Sequence, residues 1–157
     1  MAVFNKSRFK SNKQEWKTPT DLYNKINNEF NFTFDLAADS TNNKCYLYFT
    51  SEDNALNQIW NGTCWLNPPY GRSDFKLKDW VKKAFYETEK DSCVVVMLIP
   101  ARTNTKWWHD FCMKSAEIKF ICGRPKFSDS KHGLPQPLAL VVFKKHTGET
   151  KFSSFMV

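Results

Sequence analysis

The sequence lacks the features that mark disordered, secreted or membrane-spanning chains. Gly and Pro are modest in number, five and seven, while hydrophobic residues make up 41% and aromatic residues 16%, which excludes the composition of a disordered chain. The longest apolar run, residues 93–99, is too short to cross a bilayer, and the N-terminus has no apolar signal-peptide core. We therefore expect a soluble, cytoplasmic protein without a membrane partner.

The cysteines also argue against a disulfide framework. There are five, an odd number, and no two of them have Cys-x-x-Cys spacing. Most fall inside apolar stretches, so buried reduced thiols are predicted. We expect no metal site.

Positive charge is what the chain does have. The formal net charge is +7 and the sequence pI about 9.2, which favours a polyanionic partner, nucleic acid before a membrane surface. Residues 1–14 are interpreted as a basic arm, either a solvated tail or a DNA-contacting segment. At 157 residues the chain is short for two domains, so residues 15–157 are interpreted as a single domain.

Strand and helix patterns alternate along that domain. The segment 18–21 predicts a helix start, with a Thr18 hydroxyl cap and Pro19 at the first helical position. The uniformly apolar segment 94–99 predicts a central parallel strand covered on both faces. The other predicted elements are a strand ending near Asp35, a strand at 63–66, a helix at 75–88, a helix around Trp107, and strands at 118–121 and 138–143.

The last two strands lack a helix pattern between them, which favours an antiparallel pair near the C-terminus of a mostly parallel sheet. The fold class is therefore α/β. In an open sheet of this kind ligands bind outside the carboxyl ends of the strands, where both Asp35 and Asn67 fall.

The segment Asn67-Pro68-Pro69-Tyr70 directly follows a predicted strand. An amine on an aromatic base is a poor nucleophile because its lone pair is delocalised into the ring. The Asn67 side-chain oxygen and the Pro68 backbone oxygen can accept its protons, the Pro-Pro pair stiffens the loop, and Tyr70 can stack on the base. The alternative is a rigid turn without chemistry.

Four segments, in this order, resemble the phage N-6-adenine methyltransferase (Dam) family: Glu15-Trp16-Lys17-Thr18-Pro19, Phe34-Asp35-Leu36-Ala37-Ala38, Asn67-Pro68-Pro69-Tyr70-Gly71 and Pro100-Ala101-Arg102-Thr103. The similarity runs from about Glu15 to Phe143. It implies a Rossmann-like fold that uses S-adenosyl-L-methionine to methylate the exocyclic N-6 amine of adenine in DNA. The target base would be flipped out of the duplex, and a phage-encoded enzyme would act in the host cytoplasm.

The resemblance also implies site residues. Asn67, Pro68, Pro69 and Tyr70 would hold the target amine, and the cofactor would lie against Trp16, Thr18, Pro19, Asp35 and Ala37. Ala37-Ala38 stand where a Gly-rich turn is usual in methyltransferases. Asp53 is our choice for the cofactor ribose, although Glu52 and Asp39 would serve the same physics.

DNA contacts are expected from loops. Phe127 is interpreted as an aromatic against the second face of the flipped base, with Arg124 and Lys126 on its phosphates; a buried Phe in an ordinary loop is the alternative. Arg102 is a phosphate or cofactor ligand, or pairs with a nearby acid.

Two other functions fit the same sequence. One is methylation of a glutamine side chain in protein, against which the net charge weighs. The other is a basic DNA-binding module that has lost catalysis.

Overall fold

One seven-stranded sheet organises the fold in a computed structural model that describes residues 17–70, 76–127 and 135–157. Its strands are β1 (Phe34–Asp35), β2 (Leu47–Tyr48), β3 (Gly62–Leu66), β4 (Cys93–Pro100), β5 (Glu117–Cys122), β6 (Leu138–Phe143) and β7 (Lys151–Met156). They lie in the order β2-β1-β3-β4-β6-β5-β7. The predicted basic arm and Trp16 lie outside the described residues.

Six of these strands run in the same direction. Strands β2, β1, β3 and β4 form consecutive parallel pairs, and β7 is parallel to β5. Strand β6 is antiparallel to both β4 and β5. The predicted mostly parallel sheet with an antiparallel pair near the C-terminus is therefore confirmed.

Helices cover both faces of the sheet. Helix α1 (Thr20–Phe30) packs its buried Leu22, Tyr23 and Ile26 on one face. Helices α2 (Leu77–Glu87) and α3 (Lys106–Asp110) pack on the other, through residues such as Val81 and Trp108. Along β4, residues 95, 97 and 99 pack on the face covered by α2 and α3, and residues 96 and 98 pack on the face covered by α1. This strand is therefore buried on both faces, as predicted.

The start of α1 differs from the prediction. The helix begins at Thr20, Pro19 occupies the N-cap position, and no side chain of the described residues caps the helix. Thr18 is 4% exposed and its hydroxyl bonds Asn67 instead. A tertiary contact has therefore replaced the local capping bond that Thr-Pro-Thr-Asp favours.

Strands β1 and β3 approach closely at their amino ends. The Thr33 backbone N–H donates to the Thr63 carbonyl at 2.8 Å. Gly62 has φ +81°, and a Cβ there would lie 2.6 Å from Thr33 Oγ1, so both conformation and space require glycine. Among the described residues, no helix is both long and apolar enough to span a membrane.

Candidate active site

The chain reverses its direction of growth across the sheet at β1. It runs from β1 outward to β2 and then returns to the other side of β1 as β3. Open α/β sheets bind ligands at such a switch point, outside the carboxyl ends of the two strands. In this protein those ends carry the segments that begin at Asp35 and Asn67.

Several other predicted site residues also follow strands that run in this direction. Asp53 lies beyond β2, Arg102 beyond β4, and the segment 124–127 beyond β5. Because these strands share one direction, their carboxyl ends meet at one edge of the sheet. The topology therefore brings residues from five loops to the same edge.

Asn67 is the best-defined side chain at this edge. Its Nδ2 donates to the Thr18 hydroxyl oxygen at 3.0 Å, across 49 positions of sequence. Its Oδ1 lies 2.8 Å from the Tyr70 hydroxyl, which is the donor. The amide is thus held from both ends, by the segment before α1 and by its own loop.

The Tyr70 hydroxyl also reaches the carbonyl oxygen of Leu98 in β4, at 2.5 Å. Strand β3 ends at Leu66, in register with Met97, so it offers Leu98 no ladder partner. A phenol has one proton and donates it to one acceptor at a time. Leu98 and Asn67 therefore share that proton, and the loop is anchored to the central strand.

Burial raises the pKa of Tyr70 above the ordinary tyrosine value. The phenol consequently stays protonated and remains a donor at neutral pH. Its ring packs against the core on the α2 and α3 face, and Pro68, two residues earlier in the loop, is buried. The loop is thus held in place by proline stiffness, by ring packing and by hydrogen bonds.

Asp35 is a buried residue whose carboxylate organises the loop after β1. It is 2% exposed, and its carboxylate accepts the backbone N–H groups of Ala37 at 3.2 Å and Lys44 at 2.9 Å. Burial raises the pKa of Asp35, while these two hydrogen bonds oppose the rise. The carboxylate closes the loop between β1 and β2, and it places Ala37 at the switch point.

Two further acids lie on loops at the same edge. The Asp53 carboxylate accepts the Thr50 backbone N–H at 2.7 Å and the Thr50 hydroxyl at 2.8 Å. The Asp39 carboxylate accepts the corresponding groups of Thr41, both at 2.6 Å. These bonds lower the pKa of each acid, so both are ionised at neutral pH.

The basic residues of the edge are accessible. Arg102, Arg124 and Lys126 are exposed. The Arg102 carbonyl accepts the Thr105 hydroxyl at 2.8 Å in the turn before α3, and its guanidinium forms no ion pair with an acid in the described parts of the chain. The alternative of an Arg102 ion pair is therefore not seen there.

Phe127 corrects our prediction. It is 1% exposed and packs in the core beneath α1, with residues such as Leu138 and Leu140. A ring in that position is covered on both faces, so it does not offer a surface to a flipped base. The alternative interpretation, a buried Phe in a loop, describes the structure.

Some contacts of the site had no local sequence signal. The Leu98 carbonyl and the bond from Asn67 to Thr18 both depend on residues far apart in sequence. In the described ranges, no group of three or more His, Cys, Asp or Glu residues is arranged to hold a metal ion.

Together, the sheet order, the switch-point site and the Asn-Pro-Pro-Tyr loop define a Rossmann-like methyltransferase. A family model described as DNA N-6-adenine-methyltransferase (Dam) matches residues 6–153. The DNA N-6-adenine-methyltransferase of Haemophilus phage HP1 (strain HP1c1) is 31% identical over 156 residues, which cover 92% of this chain and 87% of that protein. The DNA N-6-adenine-methyltransferase of Escherichia phage T1 is 33% identical over 109 residues, covering 68% of this chain and 44% of that protein. The chain belongs to the Dam family, and is thereby an adenine-specific DNA methyltransferase.

Proposed function

We propose that this protein transfers a methyl group from S-adenosyl-L-methionine to the N-6 amine of an adenine that has been flipped out of DNA. The observation that carries the proposal is the fixed Asn67 amide at the switch point of the sheet. The two relatives named above are phage proteins, so the expected compartment is the cytoplasm of the host.

The loop supplies the acceptors that the reaction needs. Methyl transfer requires the amine lone pair to leave conjugation with the purine ring, and acceptors directed at the N–H groups favour that rehybridised state. Asn67 Oδ1 is one acceptor, because an amide oxygen can accept more than one hydrogen bond and can serve the target amine while Tyr70 also donates to it. The Pro68 carbonyl is the second. Catalysis then comes from position and electrostatics, because both acceptors are held before the substrate arrives.

The residues at the switch point fit the proposed cofactor. Ala37 and Ala38 are small, so the turn after β1 has no bulky side chain to block a nucleoside. The ionised Asp53 and Asp39 carboxylates suit ribose hydroxyls and the positive charge of a sulfonium. Bound there, S-adenosyl-L-methionine would supply a methyl group that is already activated for nucleophilic attack. Pro19 would lie on the α1 side of that site.

DNA would contact the basic part of the same edge. Arg102, Arg124 and Lys126 are exposed there, and cations at these positions can neutralise phosphates beside the target nucleotide. An adenine inside a duplex cannot reach the Asn67 loop, so we propose that it is extruded, at a cost of a few kcal/mol. Tyr70 is the aromatic residue proposed to stack on it.

Nucleoside mass spectrometry provides the test. Unmethylated DNA is incubated with purified protein and S-adenosyl-L-methionine, digested, and analysed for N-6-methyladenine. Wild type should form it and Asn67→Ala should not, while Asn24→Ala, which changes an exposed asparagine of α1, should retain activity. Full activity of Asn67→Ala would refute the proposed role of the loop. Methylation of protein glutamine in place of DNA, or failure to bind S-adenosyl-L-methionine in titration calorimetry, would refute the function itself.

A further inference from the structure

Thr18 is buried, and its hydroxyl does not cap the helix that follows it. The residue precedes α1 and is 4% exposed. The helix has no side-chain cap, and Thr18 Oγ1 lies 3.0 Å from Asn67 Nδ2. This hydroxyl therefore accepts a hydrogen bond from the Asn67 loop.

An asparagine amide needs two partners to be fixed in orientation. Its terminal torsion is broad and roughly two-fold, so oxygen and nitrogen exchange places easily in an unrestrained side chain. Only the oxygen can accept a hydrogen bond from the target amine, because the amide nitrogen would direct its own hydrogens at another donor. Tyr70 supplies one partner, but it shares its single proton with Leu98. A second anchor on the nitrogen side keeps Oδ1 turned toward its acceptor role.

We propose that Thr18 is a positioning residue for methyl transfer, which holds the Asn67 amide so that Oδ1 meets the target amine. The inference rests on the proposed function, in which Asn67 accepts that amine. It also changes the assignment of Thr18, which the family resemblance places among the cofactor contacts. In this structure the bond joins the segment before α1 to the loop after β3, across the switch point.

The test compares three substitutions. Thr18→Val removes the hydroxyl and retains the shape, and Thr18→Ser retains the hydroxyl. Thr88→Val is the matched control, because Thr88 is also 4% exposed and its hydroxyl donates to the Ala84 carbonyl at 2.8 Å, at the end of α2. Each protein is measured for melting temperature, S-adenosyl-L-methionine affinity, KM for DNA and the single-turnover rate of adenine methylation.

Thr18→Val should lower the methylation rate roughly ten- to a hundredfold, the effect expected when a partly buried amide loses a partner it needs in the transition state. Cofactor affinity and KM for DNA should stay within about twofold of wild type, since the loss is confined to the chemical step. Thr18→Ser should restore most of the rate. Thr88→Val should lose stability but retain the rate, which separates positioning from general destabilisation.

Three results would overturn the inference. An unchanged rate in Thr18→Val would show that the hydrogen bond from Asn67 to Thr18 does not contribute to methyl transfer. Weakened cofactor binding with a normal rate at saturation would make Thr18 a cofactor ligand. A Thr18→Ser rate as low as that of Thr18→Val would assign the effect to shape. If Thr18→Val does not fold, Thr18→Ala removes the same hydroxyl without a new methyl contact and takes its place. Inactivity of the wild type would refute the proposed function, whereas an active wild type with an equally active Thr18 variant refutes only this inference.

Discussion

Replacing Tyr70 by Phe removes one oxygen atom and leaves the aromatic ring in place. The lost hydroxyl contacts Leu98 O at 2.5 Å and Asn67 Oδ1 at 2.8 Å. Because the phenol has one proton, the substitution removes one hydrogen bond from each molecule, donated either to Leu98 O or to Asn67 Oδ1. That costs about 1–3 kcal/mol of unfolding free energy. For a domain of this size, each kcal/mol lowers the melting temperature by roughly 2–4 °C.

The effect on catalysis should be separable from the effect on binding. In Tyr70→Phe the Asn67 amide retains Thr18 but loses the hydrogen bond from Tyr70, so the single-turnover rate should fall about tenfold. The ring is retained, so KM for DNA should change little if the ring stacks on the target base. Tyr46→Phe is the matched control, because Tyr46 is 95% exposed and lies outside the loop.

The pH dependence of the wild type follows from the same burial. The folded-state pKa of Tyr70 is raised above 10.0, so the stability it contributes is fully present below pH 10.0 and is lost only as pH rises toward the folded value. Rate and melting temperature should therefore show no effect of Tyr70 ionisation below pH 10.0. If Tyr70→Phe has the rate and the melting temperature of the wild type, the Tyr70 hydroxyl does not anchor the Asn67 loop. If only KM for DNA rises, the hydroxyl contacts the substrate.

Three further substitutions test other parts of the structure. Burial opposes ionisation of Glu87, yet ion pairs with Lys83 and Lys90 lower its pKa to about 2. Glu87→Gln should therefore lower the unfolding free energy by about 1–2 kcal/mol at neutral pH, after allowance for screening. In urea titrations that difference should shrink as pH falls from 4.5 toward 2, and a constant difference would contradict the linkage. Phe127→Ala should lower the unfolding free energy by about 3–5 kcal/mol, and a loss below about 1 kcal/mol would remove the ring from the core. Arg102→Ala should reduce the salt slope of DNA binding by about one in anisotropy titrations, and an unchanged slope would place Arg102 away from phosphate.

The elements predicted from sequence are those whose burial pattern is strong. Strand β4 is apolar throughout because both of its faces are covered, and α2 has apolar residues at helical spacing because one face is buried. Strands β2 and β7 were not predicted. Strand β2 has two residues, and β7 is an outermost strand of the sheet with Phe155 as its single buried residue. Neither strand leaves a periodic signal, because their pairing depends on neighbours distant in sequence.

The candidate site shows the same division. The Asn67 loop was predictable because prolines after a strand fix a local backbone. The position of Phe127 was not, since a loop aromatic has the same sequence pattern whether it lies in the core or on DNA. Thr18 shows the opposite problem, because a strong local preference for capping was overridden by a partner 49 positions away.

The site is organised before any substrate arrives, and this bears on how the energy of DNA binding is used. The Asn67 amide contacts Thr18 and Tyr70, and Tyr70 in turn contacts the central strand at Leu98. A loop that is already ordered loses little conformational entropy when a base enters it. On the proposed function, phosphate contacts from a chain of net charge +7 would offset the unstacking of the target base. On the proposed function, affinity comes from the basic surface and rate depends on the orientation of the Asn67 amide, so substitutions of the two kinds should affect KM and kcat separately.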